Sequence, residues 1–306
     1  MKTKHILAAG IFALTVTALT PAHAALYVSE FFGNTVRKYD ETTGEPIVGW
    51  TSPSGLAGPW GLVLSGNHLY VANYNSANRT VGEYDATTGA PVVGWPFPRG
   101  FGPSGLALSG NNLYVANYDS QSVEKYDATT GTPIAGWNSP SGFNSPTGMA
   151  ISDNYLYVAG INNTVGKYDA TTGAAIAGWI SPSGLNGPNG LLISGNHLYV
   201  ANQNNDTVGE YDATTGAPVS GWISPSGLSA PAGLVISGNQ LYVANSNSGT
   251  VGEYDATTGV PIAGWISPSG LNFPYGLAIS AVPEPASIGL LGLGAILLAS
   301  RRRRIA

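Results

Sequence analysis

The hexapeptide Tyr-Asp-Ala-Thr-Thr-Gly combines a carboxylate, two hydroxyls and a glycine, the groups of a metal-binding or phosphate-binding loop. It begins at Tyr84, Tyr126, Tyr168, Tyr211 and Tyr254, and the variant Tyr-Asp-Glu-Thr-Thr-Gly begins at Tyr39. A catalytic loop is needed once, because one transition state needs one set of groups, whereas a turn is needed in every structural repeat. An Asp that accepts backbone N–H groups and a Gly in the left-handed conformation are typical of turns. The repetition therefore favours a turn over a nucleophile or a cation loop.

Other groups that could catalyse a reaction are scarce. The chain has no cysteine, which excludes thiol nucleophiles, disulfides and zinc–thiolate sites. His68 and His197 are the only histidines beyond the N-terminal segment, and both follow a Gly-Asn pair, where other repeats have Asn112, Tyr155 or Gln240. We interpret them as solvated turn residues. No Gly-x-Ser-x-Gly sequence is present to place a serine nucleophile.

One ring of polar residues has oxygen atoms that suit a cation. The residue after Leu-Tyr-Val-Ala, or Leu-Tyr-Val-Ser, is Gly160 in one repeat and a potential ligand in the others: Glu30, Asn73, Asn117, Asn202 and Asn245. Carboxylate and amide oxygens suit hard divalent cations. Two interpretations stay open: each side chain satisfies backbone groups of its own loop, or together they hold a metal at the mouth of a channel.

Aromatic residues, by contrast, are concentrated in a few repeats. The middle residue of the recurring Pro-x-Gly is Trp60 or Tyr275 in two repeats, but Ser, Thr, Asn or Ala elsewhere. Nearby loops add further aromatic and basic residues: Phe31, Phe32, Tyr74, Arg79, Arg99, Phe101 and Tyr118. Aromatic rings among polar neighbours are typical of a binding surface. We predict that these nine residues bind a ligand, with Trp60 and Tyr74 as the leading contacts; the alternative is that the rings fold inward and pack the loops.

These residues belong to a unit that is repeated six times along the sequence. Leu-Tyr-Val recurs at intervals of 42–44 residues, starting at Leu26 and ending at Leu241. Each unit is predicted to have four short strands, which in the second unit are 61–65, 68–72, 80–84 and 91–95. The middle residues of the first strands are predicted to line a central channel, and none of them can bind a metal or move a proton: Val63, Ala107, Ala150, Leu192, Val235 and Ala278. The tryptophan that ends each fourth strand is predicted to pack between sheets.

Four strands in each of six repeats predict an all-β, six-bladed β-propeller. The mature chain opens at the second strand of a unit, at Ala25, and the last repeat ends with a lone first strand at 276–280. These two fragments complete one blade, which would close the ring and cover both open edges. Loops between the second and third strands then share one face with the connectors between units, and the hexapeptide turns lie on the other face.

The repeats resemble the YVTN and NHL families of propeller repeats in stretches such as Gly105–Asn117. This resemblance spans residues 25–280 and implies the propeller fold. NHL-type propellers include lyases and lactonases with metal ligands around the channel. The resemblance therefore implies an alternative function, a divergent lyase or lactonase with a metal at Glu30 and the Asn ring.

Both ends of the chain are predicted to be targeting segments. Residues 1–24 have a positive start, an apolar run and small residues at Ala22 and Ala24, which is typical of a secretory signal peptide removed by signal peptidase. The C-terminus has an apolar run between two short motifs: Val282-Pro283-Glu284-Pro285, and Arg301, Arg302, Arg303 and Arg304. This order resembles the PEP-CTERM sorting signal of Gram-negative bacteria over 282–306. The resemblance implies transient anchoring in the inner membrane, cleavage by an exosortase, and export to the envelope or extracellular matrix.

The charge of the region between these ends excludes a nucleic-acid binder. Residues 25–282 contain six basic and sixteen acidic residues, a net charge of −10, whereas nucleic-acid binding needs a basic stripe. No cofactor is expected. The sequence thus predicts a non-enzymatic propeller at 25–281 that acts as a binding or structural module of the matrix, in contact with exopolysaccharide.

Overall fold

Eighteen β-strands make up the regular structure of the computed structural model, which describes residues 24–75, 79–94, 101–265 and 267–280. The strands are β1 (Ala25–Glu30), β2 (Thr35–Asp40), β3 (Pro59–Ser65), β4 (His68–Asn73), β5 (Val81–Asp85), β6 (Pro103–Ser109), β7 (Asn112–Asn117), β8 (Ser122–Asp127), β9 (Pro146–Ser152), β10 (Tyr155–Gly160), β11 (Thr164–Asp169), β12 (Pro188–Ser194), β13 (His197–Asn202), β14 (Thr207–Asp212), β15 (Pro231–Ser237), β16 (Gln240–Asn245), β17 (Thr250–Asp255) and β18 (Pro274–Ile279). Within these residues, no helix has the length and apolar character needed to cross a membrane. The predicted signal peptide before Ala24, the predicted sorting segment and Arg99 lie outside the described residues.

The strands form six antiparallel sheets of three strands each. Five sheets use consecutive strands, from β3–β4–β5 (the second sheet) to β15–β16–β17 (the sixth). The first sheet has the order β18–β1–β2, with Leu26 opposite Ile279, so the last strand of the repeat region pairs with the first. The predicted union of the two terminal fragments in one sheet is confirmed.

The fourth strand of each repeat differs from the prediction, because it is reduced to a single bridge. In the second repeat, Tyr84 bridges Pro91. Among the described residues, two further backbone hydrogen bonds flank this pair, from Asp85 N to Ala90 O and from Val92 N to Glu83 O. Pro91 has no N–H to continue a ladder. Gly94 then adopts a φ of +88°, which is outside the range of an extended strand. The sheets therefore have three strands where four were predicted.

The first strands of the six sheets contact one another in cyclic order, from β18 to β3, β6, β9, β12, β15 and back to β18. The glycine of Pro-x-Gly permits this close approach. A Cβ atom on Gly190 would lie 1.9 Å from the carbonyl oxygen of Ala232 in the next sheet, and one on Gly276 would lie 2.3 Å from that of Trp60. Any side chain at these positions would therefore push two sheets apart.

The hydrophobic core lies between neighbouring sheets. Tyr27 and Val36 of the first sheet, for example, pack with Leu69 and Val71 of the second. Five tryptophans pack against five such clusters, which confirms their predicted position between sheets: Trp50, Trp137, Trp179, Trp222 and Trp265. Trp95 lies outside the described residues.

A single carbonyl group in each hexapeptide turn joins neighbouring sheets. The carbonyl oxygen of Ala86 accepts hydrogen bonds from the Tyr27 hydroxyl at 2.8 Å, the Trp50 indole at 3.0 Å and the Lys38 ammonium at 3.1 Å, all from the preceding repeat. Tyr114, Trp137 and Lys125 make the same contacts to Ala170. At these two interfaces, the tyrosine of Leu-Tyr-Val and the tryptophan of the same repeat thus donate to one carbonyl oxygen in the hexapeptide turn of the next repeat.

The interface between the sixth and first sheets uses the equivalent carbonyl with two acidic residues beside it. The carbonyl oxygen of Glu41 accepts hydrogen bonds from the Tyr242 hydroxyl at 3.3 Å and the Trp265 indole at 2.9 Å. Glu41 replaces the usual Ala, and Glu253 stands where the first, third and fourth repeats have a lysine and the other two have Glu83 and Glu210. Both carboxyl groups are buried within hydrogen-bonding distance of the Tyr242 hydroxyl. Two acidic groups therefore share one hydroxyl between the sixth and first sheets.

Candidate ligand-binding face

The hexapeptide is a turn in the structure, as its repetition predicts. Asp169 Oδ1 accepts hydrogen bonds from the backbone N–H groups of Thr171 at 2.9 Å and Thr172 at 2.7 Å, while Asn154 donates to Oδ2 at 2.8 Å. These hydrogen bonds, above all that from the Thr172 backbone, lower the pKa of the Asp169 carboxyl. The Asp side chain is therefore committed to the turn.

The opposite face carries a cluster of aromatic side chains, which we call the aromatic cluster. Neighbouring rings in it are 4.7–6.4 Å apart, centroid to centroid, and its members are Phe31, Phe32, Trp60, Tyr74, Tyr118, Phe273 and Tyr275. The structure thus brings together six of the nine predicted ligand-binding residues. Backbone hydrogen bonds to the connectors fix the loops that carry them, from Phe31 N to Phe273 O, from Tyr74 N to Gly58 O and from Tyr118 N to Gly102 O.

Trp60 is the centre of this cluster. Its indole ring contacts Tyr275 at 4.7 Å, Tyr74 at 5.3 Å, and both Phe31 and Tyr118 at 5.7 Å. Most of these contacts are edge-to-face, the arrangement that the ring quadrupole favours. Trp60 remains partly exposed. The rings therefore pack the loops and still present aromatic surface to solvent, and ligand binding by them stays a prediction.

Exposure separates the predicted contacts into two groups. Phe32 and Phe101 are 59% and 62% exposed, so both can meet a ligand. Tyr275 is only 8% exposed, and its hydroxyl accepts hydrogen bonds from Asn189 at 3.0 Å and Gln203 at 3.3 Å across the mouth of the channel. Burial raises the pKa of this hydroxyl. Tyr275 therefore packs at the mouth, and its predicted contact with a ligand stays a prediction.

Arg79 adds a charged pair beside the rings. Its guanidinium stacks on Tyr74, 5.8 Å from the ring centroid, and makes an ion pair with Asp119. The Tyr74 hydroxyl donates to the other oxygen of Asp119 at 3.1 Å. Tyr74, Arg79 and Asp119 therefore form one connected group of hydrogen-bonding atoms beside the exposed aromatic surface.

Side chains of the predicted polar ring accept hydrogen bonds from the backbone of the connectors. Amide oxygens accept backbone N–H groups of the connectors, from Ala57 to Asn73 at 3.3 Å, and likewise to Asn202 and Asn245 at 3.1 Å. Glu30 takes the same role toward Asn272 at 2.7 Å. Burial alone would raise the pKa of Glu30, but hydrogen bonds from Arg37, Thr35 and Asn272 together lower it. The structure thus matches the interpretation in which these side chains satisfy loop backbone, with their oxygens turned toward the connectors.

Asn117 is the exception in this ring. It is fully buried, and neither its amide nitrogen nor its amide oxygen has a hydrogen-bond partner among the described residues. In its repeat, the Tyr126 hydroxyl bonds to Glu124, which stands where Gly82 stands in the second repeat. Across the described residues, no three His, Asp or Glu side chains are grouped to hold a metal ion.

The channel between the first strands is a narrow cavity of about 80 Å³. Its apolar lining comes from one residue earlier in each strand than predicted, from Leu62, Leu106, Met149, Leu191, Leu234 and Leu277. The predicted residue Val63 instead packs between the second and third sheets. A shift of one position moves a side chain to the other face of a strand, which explains the error. No carboxylate, imidazole or amine occurs among the described residues of this lining.

The two histidines are half-exposed, as expected of turn residues, but each also has a buried partner. The Nδ1 atom of His68 lies 2.6 Å from Glu83 Oε1, and that of His197 lies 2.5 Å from Glu210 Oε1. These pairs lie on the face opposite the aromatic cluster.

Phe273 is the member of the cluster that the sequence prediction missed. Its ring contacts Phe32 at 5.0 Å and Tyr275 at 5.6 Å. The signal was available, because the residue before Pro-x-Gly is Gly, Ser or Ala in every other repeat. A phenylalanine there, with a φ of +60°, departs from the pattern in a repeat that also has Tyr275.

Solved structures resemble this fold at low sequence identity. A chain from the crystal structure of a nidogen/laminin complex is 14% identical with a TM-score of 0.69, and the match covers 85% of this chain and 99% of that one. The computationally designed Ika8 protein is 20% identical with a TM-score of 0.51, covering 81% and 73%. These likenesses show the fold, which is of the propeller type. No curated protein matches the sequence.

Two family matches account for most of the chain. Residues 281–304 match the PEP-CTERM protein-sorting motif, which confirms that resemblance and implies processing by exosortase and export to the envelope of a Gram-negative bacterium. The finer resemblance to YVTN and NHL repeats stays a prediction. Residues 33–262 match the PQQ_2 family, described as outer membrane protein assembly factor BamB, and this match covers more than half of the sequence. The chain therefore belongs to the PQQ_2 family of propeller proteins.

Proposed function

We propose that the chain is an exported, non-enzymatic six-bladed propeller that binds matrix polysaccharide through the aromatic cluster. Family membership and the sorting motif fit a binding or structural module at the cell surface. The cyclic contacts among the six sheets support six blades. The proposed boundaries are 1–24 for the signal peptide, 25–281 for the propeller and 282–306 for the sorting segment, which anchors the protein in the inner membrane until cleavage.

The observation that carries this proposal is the uneven distribution of aromatic rings around the channel mouth. On one side, Phe31, Trp60, Tyr74 and Tyr118 form a continuous, partly exposed surface. On the other side, the residues at the position of Trp60 are small or polar and buried: Thr147, Asn189 and Ala232. One face of a sugar ring presents C–H groups and is apolar, so it can stack on an aromatic ring. Aromatic side chains surrounded by polar groups are also typical of the residues that contribute most to binding.

The contacts divide by accessibility. Phe32 and Phe101 offer the most exposed rings, whereas Trp60 offers the central one. Beside them, Arg79 and Asp119 supply a donor and an acceptor for sugar hydroxyls. Arg99 precedes this surface in sequence, in the connector that leads to Phe101.

The test is binding of the protein, purified from the exported fraction of its host, to the matrix polysaccharide of that host. Replacing an exposed aromatic anchor by Ala is expected to weaken binding by about 1–3 kcal/mol, or roughly 5–150-fold. Because Trp60→Ala also removes packing, Phe32→Ala is the cleaner variant, with contacts only to Phe31 and Phe273 among the described rings.

Asn204→Ala is the matched control, because Asn204 occupies an exposed loop of the fifth repeat, away from the aromatic cluster. The proposal fails if Phe32→Ala and Trp60→Ala bind as the parent does while Asn204→Ala abolishes binding. It also fails if the parent shows no saturable binding at all.

A further inference from the structure

The charged groups beside the aromatic cluster are paired with one another. Asp119 accepts from both Arg79 and the Tyr74 hydroxyl, so its two oxygens already have partners. Glu30, which directly precedes Phe31, is buried and pairs with Arg37 Nε at 2.7 Å. Among the described residues around the cluster, each positive charge therefore has a negative partner within contact distance.

Paired charges discriminate among polysaccharides. An acidic polymer gains from an arginine only if the guanidinium is free to bind a carboxylate or sulfate in a bidentate manner. Here Arg79 is stacked on Tyr74 and bound to Asp119, so an acidic sugar would have to displace that carboxylate. A neutral sugar avoids this cost, because its hydroxyls can donate to Asp119 and accept from the remaining N–H groups of Arg79.

The net charge of the propeller region also disfavours binding of acidic polysaccharides. Residues 25–282 have a net charge of −10, and a field of one sign repels a polymer of the same sign. At moderate ionic strength this repulsion is screened beyond about 10 Å, so it acts mainly through the carboxylates on the face of the cluster and least through those of the hexapeptide turns. Attraction at the cluster must then come from ring stacking and neutral hydrogen bonds.

We propose that the aromatic cluster selects neutral polysaccharides over acidic ones, with Asp119 as the residue that enforces this choice by neutralising Arg79. The inference rests on the proposed function. It predicts that binding changes little with salt, since no net charge is neutralised on binding. It also predicts that removal of the Asp119 charge creates affinity for acidic polymers, because Arg79 is then uncompensated.

The experiment uses the protein purified from the exported fraction of its host. The matrix polysaccharide is separated by anion exchange into a neutral and an acidic fraction, and dextran and alginate serve as defined polymers. Affinity electrophoresis is run with each, at low salt and at high salt. The expected result is saturable binding of the neutral fraction at both salt concentrations, and at least tenfold weaker binding of the acidic fraction and of alginate.

Two variants make the test specific. Asp119→Asn is expected to bind alginate at least threefold more tightly than the parent at low salt, and Asp206→Asn, which removes an equal charge in the fifth repeat, is the control that should not. The inference is overturned if the parent prefers the acidic fraction, or if both variants respond alike; the proposed function survives both results. If the parent binds neither fraction, the proposed function fails as well.

Discussion

Replacement of Gly190 by Ala tests whether the six sheets form a closed ring. A Cβ atom at this position would lie 1.9 Å from the carbonyl oxygen of Ala232, which belongs to backbone and cannot rotate away. An ordinary carbon–oxygen contact requires a separation larger by about 1.5 Å. Because each first strand contacts both neighbours, a shift that relieves one interface compresses another.

Overpacking of this kind costs about 1–3 kcal/mol. The substitution also restricts the unfolded chain, which returns about 0.4–1 kcal/mol of stability. Because the 1.9 Å approach is to backbone, the cost should lie at the upper end of the overpacking range. We therefore expect a net loss of about 2 kcal/mol for Gly190→Ala, which corresponds to a fall in the unfolding temperature of roughly 4–8 °C. Calorimetry or thermal circular dichroism measures this change directly.

Gly209→Ala is the matched control, since it has the same effect on the unfolded chain. Its Cβ would meet the hydroxyl and ring of Tyr211, a side chain rather than backbone. The same position in other repeats already has Arg37 and Glu124 beside the equivalent tyrosines, Tyr39 and Tyr126. The loss is expected to stay below about 1 kcal/mol. Equal unfolding temperatures for the two variants would refute the close approach of the sheets.

The remaining predictions concern the interfaces between sheets. Trp50→Phe should cost about 1 kcal/mol more than Trp179→Phe in chemical denaturation, because the Trp50 indole donates to a carbonyl whereas the buried Nε1 atom of Trp179 has no partner among the described residues; equal costs would contradict this. Burial and the neighbouring Glu41 raise the pKa of Glu253, so protonation favours the folded state and stability is lost as pH rises from the ordinary glutamate value through the raised one. Glu253→Gln should therefore raise the unfolding temperature near neutral pH and change it little in acid. An effect that does not depend on pH would show that Glu41 and burial do not destabilise the charged form of Glu253. Truncation after Asn272 removes β18 and exposes the edge of β1, so aggregation or a large fall in the unfolding temperature is expected, and melting like the parent would exclude closure through β18.

Most of the fold follows from the sequence, because the repeats state the same pattern six times. Alternating apolar residues and Gly-Asn turns predict the three strands that form, and the complementary ends at Ala25 and Ile279 predict that they share a sheet. The fourth strand could not be predicted correctly, because Pro91 and Gly94 end its ladder after one bridge and this balance depends on the local geometry. The channel lining was wrong by one residue, since apolar residues occur at both positions in the first strands.

The site could be predicted only in part, for a physical reason that differs by residue. Trp60 and Tyr74 stand out because other repeats have small or polar residues in their places. The burial of Tyr275 depends on partners from the fifth repeat, Asn189 and Gln203, which no local pattern joins to it. The role of the Ala86 carbonyl, which joins two sheets, could likewise not be predicted, because every residue has a backbone carbonyl and the sequence does not mark the one that accepts these hydrogen bonds.

The most direct test of ligand binding at the aromatic cluster is fluorine NMR of the protein labelled with 5-fluorotryptophan. Trp60 is the only described indole in the cluster, while Trp222 donates to the carbonyl of Ala256 between two sheets. The resonances are assigned with Trp60→Phe and Trp222→Phe. On addition of the neutral matrix polysaccharide, the resonance of Trp60 should shift and that of Trp222 should not. Saturating polysaccharide that leaves the Trp60 resonance unchanged would contradict the account.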